Sequence, residues 1–363
     1  MTVNTAIKGL DQWGLAPSKM LLISGPCSVE SENQIAQTAA ELAKHSVQIL
    51  RGGIWKPRTR PGSFMGLGDH ALPWLVAAAK NNHLKSAVEV ANAKHVEAAL
   101  QAGVDILWIG ARSTVSPFVV QEIADALQGV DIPVMIKNPI NPDLELWLGA
   151  IERINHAGIQ KIAAIHRGFS TYDKSIYRNV PNWNIPIELK RLIPNIPIIC
   201  DPSHICGSLD LIQHVSQKAL DLNFDGLMIE SHFDPSNALS DKDQQLSPTA
   251  LGTLINELII RTNTSNNQAF IDKLKSLRDD IDKIDFDILE LVAARNKIIS
   301  EIGLYKKENN ITIFKPERWT EIVETRIKYG KEIHLSDELI MDTIKAIHRE
   351  AIAIQTKVMN DGK

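Results

Sequence analysis

Cysteine is scarce in this chain of 363 residues: Cys27, Cys200 and Cys206 are the whole complement. A low, odd count excludes a disulfide framework and leaves free thiols or a metal ligand. A basic excess is lacking too. Lys and Arg number 39 against 43 Asp and Glu, a net charge of −4, which argues against a nucleic-acid partner. No apolar run approaches the ~20 residues of a membrane span. The opening "MTVNTAIKGLDQW" has no signal-peptide core, so a cytoplasmic protein without a membrane partner is expected. What remains is an ordinary globular composition, 44% hydrophobic, with a length that suggests about two domains.

Up to about residue 260, short β-rich apolar runs alternate with helical stretches. The runs are "MLLISGPCS", "VQILRGG", "SAVEVAN", "DILWIGAR", "PVMIKNP", "KIAAIHRG", "IPIICDPSH" and "DGLMIESH". Their continuously apolar interiors suit parallel strands covered on both faces. Segments such as "ENQIAQTAAELAKH", "PFVVQEIADALQG" and "SLDLIQHVSQKALD" read as the helices between them. Eight β/α units in this length predict a (β/α)8 barrel. A doubly wound sheet is the rival reading, but "SGPCS" after the first strand is not its glycine fingerprint.

Polar residues follow each apolar run: Cys27, Arg51, Lys56, Glu89, Arg112, Lys137, His166, Arg167, His204 and Glu230. Each alone reads as a solvated loop residue. Together they lie at strand carboxyl ends, which converge on one mouth in a barrel. The stretch "RGGIWKPRTRPGSF", residues 51–64, holds Arg51, Lys56, Arg58 and Arg60 with no acid among them. Its glycines let the chain turn closely, and Pro57 and Pro61 stiffen it, so it reads as a rigid cradle for a phosphate or carboxylate. Arg112, Lys137 and Arg167 extend the cationic array. Cys27, His204, Glu230 and Asp241 could ligate a metal at the same mouth. One thiolate, one imidazole and two carboxylates suit a divalent transition metal better than Mg or Ca.

"GPCSVES", "RGGIWKPRT", "WIGAR", "IKNP", "HRGFS", "DPSH" and "ALSDKDQQLSP" together resemble 3-deoxy-D-arabino-heptulosonate 7-phosphate (DAHP) synthase. The resemblance covers 20–260 and is closest to the short, barrel-only type. It implies condensation of phosphoenolpyruvate with erythrose 4-phosphate. It also implies a divalent metal ion (Mn, Fe, Co or Zn) on Cys27, His204, Glu230 and Asp241. Phosphoenolpyruvate contacts fall on Arg51, Lys56, Arg112, Lys137 and Arg167, with Lys137 catalytic, and the sugar phosphate falls on Arg58 and Thr59. Arg60 departs from the Ser of many relatives. The sibling 3-deoxy-D-manno-octulosonate 8-phosphate synthase is the alternative, but its turn reads like "ANRSS" where this chain has "KPRT".

"RTNTSNNQAF", 261–270, reads as a linker between a barrel at 1–260 and a helical domain at 271–363. No proline occurs between residues 249 and 315. Leu277, Ile281, Ile284, Ile288, Leu291, Arg295, Ile298 and Ile302 recur at steps of four and three, a coiled-coil-type seam. A helix from about 270 to 308 would be ~58 Å long, which predicts packing against a partner chain. Two shorter helices are expected at roughly 316–329 and 337–358, the second capped by Ser336. Arg295 interrupts the apolar seam, where a charge is costly unless paired. Lys306 lies ~16 Å further along the same side, and Arg278 lies ~25 Å before Arg295.

"LRDDIDKIDFDILELVAARNKIISEIGLYKKENN" and "IHREAIAIQ" resemble the all-helical chorismate mutases over about 271–360. The resemblance implies an intertwined homodimer in which Arg278 of one chain joins Arg295, Lys306, Arg318 and Gln355 of the other. Chorismate would rearrange to prephenate with no cofactor, with Arg295, Lys306 and Gln355 catalytic. Lys315 and Ala351 depart from the usual Asp and Ser. Feedback inhibition of the barrel by prephenate or chorismate is also expected, and a larger homo-oligomer is open. The alternative is a helical domain that only senses and dimerises.

Overall fold

The computed structural model describes residues 5–16, 19–56, 62, 64–172 and 174–360. It divides into two compact units, Met1–Asn263 and Thr264–Lys363.

In the first unit eight parallel strands close in sequence order: β1 Leu21–Gly25, β2 Ile49–Arg51, β3 Lys85–Val90, β4 Ile106–Ile109, β5 Val134–Lys137, β6 Ile162–His166, β7 Ile198–Cys200 and β8 Gly226–Glu230. Parallel pairing of β1 with β8, Leu21 opposite Gly226 through Gly25 opposite Glu230, completes the barrel. Every strand expected from the apolar runs is present. The helices are α1 Glu32–Leu42, α2 Leu72–Asn81, α3 Ala93–Gln101, α4 Ala111–Thr114, α5 Pro117–Ala126, α6 Leu144–His156, α7 Asn184–Leu192, α8 Pro202–Cys206, α9 Ile212–Asp221 and α10 Pro248–Glu257. Side-chain caps start several of them: Ser31 for α1, Asn92 for α3, Asp143 for α6 and Ser247 for α10 each accept a backbone N–H three residues on. Each cap contributes about 1 kcal/mol.

Strand alternation creates two cores. Ile23, Ala87, Trp108, Met135, Ile165 and Met228 point into the barrel, and Trp13 from the N-terminal segment joins them. Leu22, Leu50, Val88, Leu107, Ile136 and Leu227 point outward beneath the helices. The same period of two corrects one expectation. His166 follows Ile165 and therefore leaves the mouth, lying buried in the outer layer against Phe169, Trp183 and Phe224. All three cysteines are buried free thiols.

The second unit contains α11 Gln268–Glu308, α12 Pro316–Glu332 and α13 Asp337–Asn360. Asn267 caps α11 by accepting the Phe270 N–H, so residues 268–270 of the expected linker are helical. Ser336 accepts the Leu339 N–H at 3.2 Å, the expected cap of α13. Gly303 lets α13 approach α11: a Cβ there would come within 3.4 Å of Gln355. The seam stands open to solvent, with Ile281 at 56% and Leu291 at 71% exposure. Among the described residues no helix is long and apolar enough to cross a membrane.

Candidate active sites

The carboxyl ends of the strands bring most of the expected barrel residues together. Arg51 ends β2, Lys137 ends β5 and Glu230 ends β8, all buried. Cys27 follows β1, Lys56 follows β2 and Arg167 follows β6. Arg112 sits in α4, and His204 sits in α8 directly beyond β7. Arg58, Thr59 and Arg60, with Pro57 and Pro61, lie outside the described residues.

Acids and cations interlock here. Arg51 Nη1 donates to Glu230 Oε1 at 2.5 Å, and Gln244 Nε2 donates to Glu230 Oε2 at 2.7 Å. Lys137 Nζ donates to Asp201 Oδ2 at 2.9 Å, with both side chains buried. The indole of Trp108 floors the array: the Arg51 guanidinium carbon lies 5.0 Å and Lys137 Nζ 6.0 Å from its ring centre. Trp108 Nε1 donates in turn to Glu89 Oε2 at 2.9 Å. The cations are therefore not held apart by stiffness alone, because Glu230 and Asp201 neutralise two of them. Arg167 is aligned differently. Its Nη1 donates to the neutral amide oxygen of Asn179 at 2.8 Å, which fixes the guanidinium without cancelling its charge. Burial pulls Arg167 down to about 10, with Arg178 and Arg112 adding to it and Asp201 opposing.

Cys27 Sγ and carboxylate oxygens of Glu230 and Asp241 lie within 4.8 Å of one another. Burial first, then Glu230, push the Cys27 thiol up to about 12, with Lys56 and Arg51 opposing. The protonated thiol donates to Asp241 Oδ2 at 3.2 Å and receives Lys56 Nζ at 2.9 Å. Burial disfavours ionised Asp241, but Arg178, the Cys27 hydrogen bond, His204 and Lys56 outweigh it and hold the carboxyl at about 2. His204 Nδ1 bonds to Asp201 at 2.8 Å, leaving Nε2 3.8 Å from Glu230 Oε1. Burial lowers its pKa, which favours the neutral ring. Cys27, Glu230 and Asp241 are the three donors drawn together, and the neutral His204 imidazole, with a carboxylate behind it, lies outside that group while facing Glu230; the chemistry of the four suits a divalent transition metal.

Several residues of this site carry no distinguishing mark in a single sequence. Asp201 both caps α8, accepting the His204 N–H at 3.1 Å, and bridges Lys137 to the His204 ring. Gln245 accepts the Cys27 N–H at 2.8 Å. Arg178, Asn179 and Gln244 come from loops where polar residues are expected anyway. The "DPSH" and "DKDQQ" motifs contain Asp201, Gln244 and Gln245, and a search for buried polar partners within those motifs could have found them.

The second unit holds a smaller polar cluster. Arg295 Nη1 and Gln355 Oε1 are buried without hydrogen-bond partners among the described residues. Burial, with Arg326 beside it, lowers Arg295 from its ordinary value. Burial and Lys315 do the same for Lys306. Lys306 Nζ donates to the Ile313 carbonyl at 2.6 Å. Arg318 pairs with Glu321 at 2.6 Å on the surface, and Arg278 is exposed. Trp319 stacks on His348 with ring centres 4.2 Å apart, a pair the sequence did not suggest.

A closed parallel barrel with a cation-lined mouth beside a thiol–imidazole–carboxylate cluster defines a phosphate-handling (β/α)8 enzyme, here followed by a helical unit in which the buried Arg295 Nη1 has no partner among the described residues. The chain belongs to the DAHP synthetase I family, which matches residues 14–265, and chorismate mutase type II matches residues 277–356. It is an enzyme joining a DAHP synthase domain to a chorismate mutase domain. Phospho-2-dehydro-3-deoxyheptonate aldolase of Thermotoga maritima is 32% identical over 237 residues, covering 65% of this chain and 68% of that protein. The crystal structure of the DAHP synthase from T. maritima aligns with a TM-score of 0.60 at 32% identity, covering 66% of this chain and 68% of that one. The T-protein of Haemophilus influenzae is 31% identical over 85 residues, covering 23% of this chain and only 22% of that protein.

Proposed function

We propose that the barrel condenses phosphoenolpyruvate with erythrose 4-phosphate and that the helical unit converts chorismate to prephenate, two steps of aromatic amino-acid biosynthesis. The observation that carries the first half is Asp201, which joins Lys137 of the cationic wall to His204 of the metal-type donor set within hydrogen-bond distance.

Arg51, Lys56, Arg112, Lys137 and Arg167 bind the carboxylate and phosphate of phosphoenolpyruvate, and Arg58 and Thr59 take the sugar phosphate. Cys27, His204, Glu230 and Asp241 hold a divalent ion of the Mn, Fe, Co or Zn type. When bound, it supplies Lewis acidity toward the aldehyde oxygen. As the enol carbon of phosphoenolpyruvate bonds to the aldehyde carbon, the C=O π pair moves to the aldehyde oxygen, which takes a proton, and C2 is left electron-poor. Water adds at C2 and gives up a proton, and the C2–O bond to phosphate breaks as the new hydroxyl loses its proton to give the ketone and inorganic phosphate. Lys137, fixed by Asp201, stabilises the charge that develops beside it.

In the helical unit Arg295, Lys306 and Arg318 of one chain, with Arg278 of a second copy, hold the chorismate carboxylates in a compact conformer, an orientation effect. Lys306 and Gln355 donate to the ether oxygen as its C–O bond breaks. The exposed seam of α11 supports a homodimer through this unit. Lys315 adds positive charge near Lys306 where an acid is usual, and Glu317 in the first turn of α12 can serve the substrate hydroxyl in its stead. Prephenate or chorismate bound here restrains the barrel.

Assaying both substrate sets, with and without EDTA, tests the whole reading. DAHP formation that EDTA abolishes, together with EDTA-resistant loss of chorismate, is expected. Preference for arabinose 5-phosphate over erythrose 4-phosphate would assign the barrel to the sibling reaction. Prephenate titrated into the DAHP assay should lower the rate, and an unaffected rate alongside normal chorismate turnover would refute the restraint.

A further inference from the structure

The loop between β6 and α7 sends two consecutive side chains to opposite halves of the barrel site. Arg178 Nη1 lies 3.3 Å from Asp241 Oδ1 and 2.7 Å from Gln244 Oε1. Gln244 passes the contact on to Glu230 at 2.7 Å. One guanidinium thus steadies Asp241 directly and Glu230 through an amide. Asn179, buried to 5%, serves the other half. Its Oδ1 accepts from Arg167 Nη1 at 2.8 Å and from Ser170 Oγ at 3.3 Å, and its Nδ2 donates to the His204 carbonyl at 2.6 Å.

The backbone of the pair is fastened to α8, the helix that carries His204. Arg178 N–H donates to the Cys206 carbonyl at 3.3 Å and Asn179 N–H to the Ile205 carbonyl at 3.1 Å. Two glycines clear the space. Gly168 and Gly207 both have left-handed backbones, with φ of 77° and 70°. A Cβ on Gly207 would meet Arg178 Cβ at 2.6 Å, and one on Gly168 would strike the Asn179 carbonyl oxygen.

Folding alone does not account for this arrangement. The Arg178 side chain is 48% exposed, and ion pairs at such positions contribute little to stability. Asp241 precedes the single 3-10 turn Lys242–Gln244 with a left-handed φ of 45°, and outside the Cys27 thiol its carboxylate is held by Arg178. We propose that Arg178 and Asn179 form a two-residue positioning clamp that aligns the carboxylates Asp241 and Glu230 with His204 on one side and Arg167 on the other. The inference rests on the reading of this mouth as a metal-dependent phosphoenolpyruvate site and assigns it two positioning residues.

The test uses the full chain stripped of metal, with Co2+ binding by equilibrium dialysis read beside kcat and KM for phosphoenolpyruvate. Arg178→Ala should weaken Co2+ binding about tenfold or more, the usual scale for residues that orient metal ligands, with the phosphoenolpyruvate KM within about twofold of the parent. Arg178→Lys should recover part of that affinity. Asn179→Ala should raise the phosphoenolpyruvate KM about tenfold and weaken Co2+ binding as well. Asn179→Asp keeps an acceptor for Arg167 but cancels its charge and loses the donor to His204, so it should raise the KM and weaken Co2+ binding together. Parent-like Co2+ binding in Arg178→Ala with a parent-like KM in Asn179→Ala would overturn the clamp. So would uniform losses in all four variants that merely track a fall in thermal midpoint. A parent protein that binds no Co2+ would overturn the underlying reading of the site, a result distinct from any difference among variants.

Discussion

Lys137 Nζ and Asp201 Oδ2 meet at 2.9 Å with both side chains sealed from solvent, at the point where β5 and β7 open onto the mouth. The net stability gained from a buried pair of this kind is small beside the cost of removing one partner. Asp201→Asn keeps the shape but leaves Lys137 charged, buried and without its counter-ion. Its expected cost is about 3–5 kcal/mol, read as a fall in the urea midpoint of the barrel, with DAHP formation lost. An unchanged midpoint would mean that Lys137 finds another acceptor.

Replacing Cys27 with Ser removes the one soft donor of the cluster with only a small loss of volume. Metal-dependent DAHP formation should fall at least about 100-fold, while chorismate turnover by the same preparation stays at the parent level. Added Co2+ or Zn2+ restoring full activity would exclude Cys27 as a ligand.

Arg295 presents a buried Nη1 without a partner among the described residues, in line with its proposed role of holding a chorismate carboxylate. Arg295→Ala should abolish measurable chorismate loss and leave DAHP formation detectable. Surviving chorismate turnover would move the second site elsewhere.

Ile284 and Ile288 lie on the solvent-exposed seam of α11. Changing both to Glu introduces charges that a helix–helix interface would have to bury. Analytical ultracentrifugation should show a dimer for the parent and a monomer for the double variant, with chorismate turnover lost if Arg278 acts across the interface. A parent that sediments as a monomer at every concentration would end the dimer proposal.

Asp105 offers a pH test remote from either site. Its carboxylate accepts Lys85 Nζ at 2.8 Å and both the N–H and hydroxyl of Ser86 at 2.9 Å. Burial disfavours its ionisation, but these bonds prevail, so its folded pKa lies below the ordinary value. A depressed carboxylate contributes stability that is fully present above its unfolded pKa, near about 3.9, and is lost as pH falls through the folded value. Asp105→Asn should therefore cost about 1–2 kcal/mol at neutral pH, a difference that shrinks as the pH drops below about 4. A constant difference across that range would contradict the assignment.

The barrel was legible because each strand announces itself. "KIAAIHRG" is apolar from Ile162 to Ile165, and both faces of a parallel strand are covered, so composition alone marks β6. The fate of His166 was not legible. Whether the last residue of a strand faces the mouth or the helices turns on a register of one, and the polar label of histidine misled. Cys27, His204, Glu230 and Asp241 could be grouped by donor chemistry and by resemblance. Arg178 and Asn179 could not, because polar loop residues look alike until the chain places them against buried partners; Asp201 and Gln244 sit in "DPSH" and "DKDQQ", but nothing there says which cation or acid each would meet.

The order and periodicity of the residues alone determined a closed parallel barrel, a long helix with a charged interruption in its seam, and a cationic mouth at the strand ends. These arise from local rules of alternation, helical repeat and charge, which act over a few residues at a time. Only the tertiary structure decided which acid faces which cation and which loop reaches across the mouth. Those pairings join residues far apart in the chain, Arg51 with Glu230 and Arg178 with Asp241, through the closure of the barrel.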